Sequence, residues 1–155
     1  VGKVVSIQNI TNELQPQRSQ KIVFTNGCFD LLHVGHIRYL QEAKACGDLL
    51  VVGINSDASV QILKGPTRPI QNQNDRAEIL SALAAVDYVV IFTEETPEKL
   101  IQSVRPDVLV KGGDWKPEQI LGGTFVQSYG GQVKSLQFVN GTSTTKIIEI
   151  IEKSR

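Results

Sequence analysis

The stretch from Lys21 to Asp48, KIVFTNGCFDLLHVGHIRYLQEAKACGD, constrains the fold more than any other part of the chain. Ile22 to Thr25 is short, apolar and β-branched, the pattern of a buried strand, and it stops at Asn26-Gly27, where a chain can turn sharply. Beyond the turn Val34, Ile37, Leu40 and Ala43 recur at three-residue spacing, which predicts an apolar stripe on a helix reaching about Cys46. Gly47-Asp48 ends that helix.

HVGH, His33 to His36, falls where the loop becomes the helix. A helix N-terminus offers unpaired backbone N–H groups and a partial positive charge, a natural seat for phosphate, and two imidazoles there add donors aimed at the same anion. Gly35 between them leaves room for a ligand to approach the backbone. In the competing reading one His caps the helix and the other packs in the core. A His pair flanking a Gly, preceded by NGCFDLL after a strand, favours the ligand site. Cys28 in this loop reads as a small buried thiol, because no second His or acid is spaced to make it a nucleophile.

The remaining chain continues the alternation. Ile7, Ile10 and Leu14 predict a leading helix within residues 1–20, followed by a polar connector. Leu49 to Ile54 predicts a strand buried on both faces, Ala58 to Leu63 a short helix, and Lys64 to Gln73, KGPTRPIQNQ, a mobile loop. Asn74 is a candidate cap for a helix burying Ile79, Leu80, Leu83 and Val86, and Asp87 to Phe92 is the third strand. Thr96-Pro97-Glu98 starts a helix ending before Arg105-Pro106, and Val108 to Val110 is the fourth strand. One or two helices follow between Pro117 and Tyr129, then a fifth strand, Val133 to Val139. A closing helix, Ser143 to Glu152, turns Ile147, Ile148 and Ile151 to one side. Alternating strands and helices predict a three-layer α/β sandwich around a five-stranded parallel sheet, a single domain over 1–155. Ligands of such sheets bind beyond the strand C-termini, which gathers Asn26 to His36, Asn55 to Arg76, Lys111 to Trp115 and Asn140 to Thr145 on one rim.

Composition narrows the function. With 16 basic and 16 acidic residues the formal charge is zero, so there is no whole-chain footprint for nucleic acid. Two cysteines build neither a metal cluster nor a disulfide framework. No apolar run is long enough to cross a bilayer, and the first residues lack a secretory pattern, so a soluble cytoplasmic protein is expected.

Gly27, Phe29, Asp30, His33, Gly35 and His36 spell G-x-FD-x-x-H-x-GH, which resembles the signature of the cytidylyltransferase-like nucleotidyltransferases. KGGDW, Lys111 to Trp115, and GTSTTKI, Gly141 to Ile147, are most similar to the adenylyltransferases that convert D-glycero-β-D-manno-heptose 1-phosphate to ADP-heptose. Those enzymes occur as one half of a bifunctional chain or as separate proteins. The resemblance implies a Rossmann-like sheet of order 3-2-1-4-5, ATP as substrate, Mg²⁺, and pyrophosphate as product. It also implies that His33 and His36 contact the α- and β-phosphates, and that Lys64 and Arg76 face them. Asn26, Gly27, Cys28, Phe29 and Gly35 would cradle the triphosphate, while Ser143, Thr144 and Thr145 hold it from the last helix. Lys111, Gly112, Gly113 and Asp114 would lie at the nucleotide, with bare backbone at the glycines reading a base edge. Arg68 reads as either a solvated loop residue or a substrate contact. Asp30 could orient the loop, help hold Mg²⁺ or touch the sugar, and Trp115 is read as packing. The resemblance admits a homodimer and a sugar kinase, fused or on a separate chain.

Two departures separate the chain from the similar glycerol-3-phosphate cytidylyltransferases. Phe138-Val139-Asn140 stands where they carry an arginine, and Gly113 where they have an acid. Adenylyl transfer to a sugar phosphate is therefore the leading expectation. Cytidylyl transfer to glycerol 3-phosphate or another alcohol phosphate is the near alternative, and a non-catalytic nucleotide-binding module the alternative of another class.

Overall fold

The structure, a computed structural model, describes residues 2–137 and 143–155. Its centre is a parallel sheet of six strands: β1 (Lys3–Val4), β2 (Ile22–Gly27), β3 (Leu49–Asn55), β4 (Tyr88–Phe92), β5 (Val108–Gly112) and β6 (Gln132–Leu136). The order is β1-β4-β3-β2-β5-β6. The sheet therefore has one strand more than the five expected. β1 is a two-residue edge pairing Lys3 with Tyr88 and Val4 with Val89, too short for any periodicity to announce it. The other five strands, counted alone, run 3-2-1-4-5.

The central strands are apolar on both faces because each face has its own core. On one side Ile22, Phe24, Val51, Val90 and Leu109 meet Ile10 and Leu14 of α1 (Ile7–Leu14), and Leu100, Ile101 and Val104 of α5 (Glu98–Val104). Val126 of α6 (Gly123–Ser128) joins them. On the other side Val23, Leu50, Val52, Val89 and Val108 meet Tyr39, Leu40 and Ala43 of α2 (Val34–Ala45), and Ala77 and Leu80 of α4 (Gln73–Ser81). Alternation along each strand sends successive residues to opposite cores.

Several boundaries correct the expectations. The helix before the basic loop, α3, spans Asp57–Lys64, so Lys64 is its last residue and the loop is residues 65–72. The cap of α4 is Asn72, whose side chain accepts from the Asp75 N–H, and not Asn74. Ile79 is 38% exposed, and Leu83 and Val86 pack from beyond the helix end. The last helix, α7 (Thr144–Lys153), buries no residue fully, and Ile150 and Ile151 are exposed. The far end of the expected fifth strand, Phe138-Val139, lies outside the described residues, as do Asn140, Gly141 and Thr142.

Gly53, at the centre of the sheet, has no room for a side chain: an added Cβ would lie 2.8 Å from Leu100 Cδ2 and 2.9 Å from Phe24 Cζ, both in a closed core. Gly53→Ala is therefore expected to cost about 1–3 kcal/mol of stability through overpacking. Urea unfolding of the variant beside the parent chain measures it, and an unchanged midpoint would contradict the packing described.

Candidate active site

The loop between β2 and α2 is tightly bent. Phe29 and Leu31 have positive φ, 48° and 26°, which L-residues adopt only under constraint. Gly27 is required just before the bend, because a Cβ there would come within 2.9 Å of the Phe29 ring. The loop delivers the chain to His33, which caps α2 in a way that uses both imidazoles. His33 Nδ1 accepts from the Gly35 N–H at 3.1 Å, and His36 Nδ1 accepts from the His33 N–H at 3.2 Å.

This reciprocal cap fixes the tautomers. A nitrogen that accepts from a backbone N–H carries no proton, so in both neutral rings the proton sits on Nε2, the nitrogen away from the backbone. The rings lie nearly face to face, with centroids 3.9 Å apart and planes tilted by 32°. Burial pushes the His36 pKa down to about 4, helped by His33 and Lys64, and burial also lowers that of His33. At neutral pH the pair is therefore uncharged and presents two oriented N–H donors. Capping and ligand contact, which the sequence posed as alternatives, are both open to the same side chains.

Asp30 holds the bent loop in place. Its side chain is 1% exposed, and four donors surround the carboxylate. Oδ1 accepts from the Gln71 N–H at 3.0 Å and the Leu31 N–H at 3.2 Å, and Oδ2 from the Ile70 N–H at 2.7 Å and Arg68 Nε at 3.3 Å. Burial alone would raise the Asp30 pKa, but the Ile70 and Gln71 N–H groups and the Arg68 guanidinium outweigh it and hold it below the ordinary carboxylate value. Its main-chain oxygen and that of Leu31 accept from the Thr144 hydroxyl at 3.1 and 3.2 Å, which seats the α7 N-terminus on the loop. Two oxygens with four donors have no lone-pair direction left for a metal or a sugar hydroxyl. Among the described residues no group of three His, Cys, Asp or Glu side chains is placed to hold a metal.

A cavity of about 440 Å³ opens over the C-terminal ends of β2 and β5. It brings together Asn26, Gly27, Cys28, Phe29, Asp30, His33, Gly35 and His36, then Lys64, Arg68, Lys111 and Gly112, and finally Ser143, Thr144 and Thr145. Arg76, Gly113 and Asp114 do not line it. Arg76 is 1% exposed and lies beneath the site, where Nε donates to Gln71 O, Nη1 to Cys28 O and Asn55 O, and Nη2 to the Asp57 carboxylate. Gly113 donates its N–H to Leu136 O and accepts the Ser135 hydroxyl, while Gly112 O accepts from Trp115 Nε1. These backbone groups, expected to read a base edge, are thus engaged by β6 and by the Trp115 ring. The Thr144 hydroxyl is likewise committed, donating to the bent loop, whereas Ser143 Oγ accepts from the Lys146 N–H and keeps its own proton to donate. Trp115 is 44% exposed and belongs to neither core.

Cys28 is half-buried rather than buried, its thiol directed at Asn55 Oδ1 at 3.7 Å. Burial raises its pKa, which fits an unreactive thiol. One lining residue escaped the sequence reading. Tyr39, one turn beyond His36, reaches the cavity with its hydroxyl 2.6 Å from the Thr25 hydroxyl. Its position off the three-residue apolar stripe hid it.

Paired imidazoles at a helix start, beyond the ends of a parallel sheet, define the class: a Rossmann-like fold of the nucleotidyltransferase type. The cytidylyltransferase-like family model matches residues 24–150, and the chain belongs to that family. It is 58% identical over 139 residues to the bifunctional protein HldE of Syntrophotalea carbinolica, covering 90% of this chain and 28% of that protein. With HldE of Geobacter sulfurreducens it shares 53% over 155 residues, 99% of this chain and 32% of the relative. The chain thus spans under a third of the length of these relatives. Among solved structures it is similar to the lipopolysaccharide core biosynthesis protein of Thermoplasma volcanium, at 30% identity with a TM-score of 0.64, covering 77% of this chain and 97% of that one. Pantoate-beta-alanine ligase of Francisella tularensis, 18% identical with a TM-score of 0.63, shares the fold alone.

The lowered His36 pKa makes stability depend on pH. Between the ordinary value of 6.5 and about 4 the unfolded chain binds the proton and the native chain does not, so stability falls as pH drops through that window. His36→Gln is expected to flatten the slope, read from urea midpoints at half-unit steps from pH 7 to 4. An unaltered slope would refute the burial argument. Asp30→Asn replaces two acceptor oxygens with one and a donor, and is expected to lower kcat/KM roughly 10- to 100-fold by freeing residues 68–71. The Mg²⁺ concentration for half-maximal rate should stay as in the parent, and a shift in it would make Asp30 a metal ligand after all.

Proposed function

We propose that this domain transfers AMP from ATP to D-glycero-β-D-manno-heptose 1-phosphate, releasing pyrophosphate and forming ADP-heptose for lipopolysaccharide or other surface glycans. The observation that carries the transfer chemistry is the pair of tautomer-locked imidazoles lining the cavity. An oxygen of the acceptor phosphate attacks the α-phosphorus, the bond to the β-phosphate bridging oxygen breaks, and its electron pair leaves with pyrophosphate. Such a displacement needs alignment and positive groups where charge grows, more than covalent help. His33 and His36 line the cavity and would donate their Nε2–H groups to phosphate oxygens, with Lys64 and Arg68 on the β3 side. The first turn of α7 adds backbone N–H groups at Thr144 and Thr145.

Support for the sugar comes from KGGDW and GTSTTKI and from relatives named as a bifunctional protein. A sugar kinase in the remainder of such a longer chain would supply the 1-phosphate that this domain consumes. The need for ATP favours the cytoplasm, and a homodimer remains part of the proposal by resemblance.

The test compares pyrophosphate release from ATP with heptose 1-phosphate against CTP with glycerol 3-phosphate. A higher kcat/KM for the first pair is expected, and the reverse would overturn the substrate while leaving the transferase class. His33→Ala and His36→Ala should each lower kcat roughly 10²- to 10⁴-fold with the fold intact by thermal melting. Near-parental turnover in either would overturn the role of the pair.

A further inference from the structure

The strand end that carries KGGDW raises a problem that its backbone does not solve. The Gly112 carbonyl and both polar groups of Gly113 are engaged by Trp115, Leu136 and Ser135, and Gly113 and Asp114 stand outside the cavity. What this segment puts into the cavity is Gly112 and Lys111.

Lys111 makes no ion pair and no side-chain hydrogen bond among the described residues. Its ammonium lies 5.7 Å from the centre of the Trp115 ring, and that ring is fixed by the bond from its own Nε1 to Gly112 O at 2.9 Å. Burial lowers the pKa of the ammonium, as expected for a charge partly withdrawn from water. The other cations of the lining stand elsewhere. Lys64 ends α3, after β3, and Arg68 is tied to Asp30. Since β3 and β5 flank β2 on opposite sides, Lys111 faces the cavity from the side where neither of them stands.

A half-buried ammonium with no carboxylate partner among the described residues is costly, a cost that the Trp115 ring offsets only in part and that an arriving anion relieves. We propose that the Lys111 side chain is a binding residue for a substrate phosphate oxyanion, closing the β5 side of the cavity opposite Lys64. Two substrates bring that chemistry, the polyphosphate of the nucleotide and the phosphate monoester of the acceptor. The assignment rests on the cavity being the seat of the transfer proposed above.

The experiment uses Lys111→Met, which keeps the length of the side chain and removes the charge, beside Lys111→Arg, which keeps the charge. Binding of inorganic pyrophosphate, ATP and heptose 1-phosphate is measured by calorimetry, with the fluorescence of Trp115, the only tryptophan, as an independent reporter for the parent and the arginine variant. Lys111→Met is expected to weaken at least one of these ligands roughly 10- to 100-fold, the range for a hydrogen bond to a charged partner, and Lys111→Arg to recover most of it. A loss confined to pyrophosphate and ATP assigns the ammonium to the nucleotide, and one confined to the sugar phosphate assigns it to the acceptor. Affinities equal to the parent for all three in Lys111→Met, or a loss that arginine does not recover, overturn the proposal. Because pyrophosphate binding is read without turnover, a parent chain that binds it but releases none from ATP would refute the transfer reaction and still leave Lys111 tested.

Discussion

The site depends first on a charge that never meets the cavity. Arg76 is the largest fully buried side chain among the described residues, and its guanidinium is surrounded by acceptors from the β2 loop, the β3 end, the start of α3 and the entry to α4. Withdrawing a guanidinium from water costs several kcal/mol, and only near-complete hydrogen bonding makes it tolerable. Here three main-chain carbonyls and the half-exposed Asp57 carboxylate engage all three nitrogens and four of the five N–H groups. The dependence runs both ways, since without the guanidinium the carbonyls of Cys28, Asn55 and Gln71 would lose the donor that joins them. Three rim segments that diverge in sequence are thus fixed relative to one another from below.

Asp30 performs the corresponding task from within the loop. Left-handed backbone at two non-glycine residues stores strain on the order of 1–3 kcal/mol each, and it persists only where the surroundings over-determine it. Four donors on the carboxylate and the Thr144 hydroxyl on the adjoining carbonyls supply that determination. The strain has a use: it swings the chain so that His33 meets α2 as a cap and His36 stacks beside it. The second half of the basic loop is tied to the Asp30 carboxylate through the Ile70 and Gln71 N–H groups, contacts that its prolines and glycine did not announce.

What the sequence made legible follows from local physics. Buried strands, the helix stripe of α2 and the gathering of loops at one rim are properties of neighbouring residues and of parallel sheets, and they could be read directly. The start of α4 could not. QNQND offers Asn72 and Asn74 as caps of equal intrinsic merit, and the choice is made by Asp30 taking the Gln71 N–H and Arg76 taking the Gln71 carbonyl, bonds to partners 41 and 5 residues away. Arg76 was likewise visible as a cation in the right region, yet its burial is set by carbonyls on three separate segments. KGGDW looked like bare backbone awaiting a ligand because the groups that engage it come from β6 and from the Trp115 ring folding back. The imidazole pair was found but posed as a choice between cap and ligand, although a ring with two nitrogens can serve as both.

That double use bears on how the site handles charge. An imidazolium pair would attract phosphate strongly in the ground state, and such uniform attraction lowers KM without accelerating the displacement. Burial keeps the pair neutral, and the two Nδ1 acceptor bonds aim N–H donors whose contribution, in the proposed transfer, would grow as charge moves onto the bridging and non-bridging oxygens. Full positive charges are kept to the sides of the cavity instead, at Lys64, Arg68 and Lys111. Of these Arg68 is already balanced by Asp30, which leaves the two lysines to attract the anionic substrates. In the transfer proposed above, attraction and transition-state stabilisation would fall to different groups: the ammoniums would gather phosphate, and the neutral imidazoles, fixed by the cap of the helix they begin, would meet it where the bond breaks.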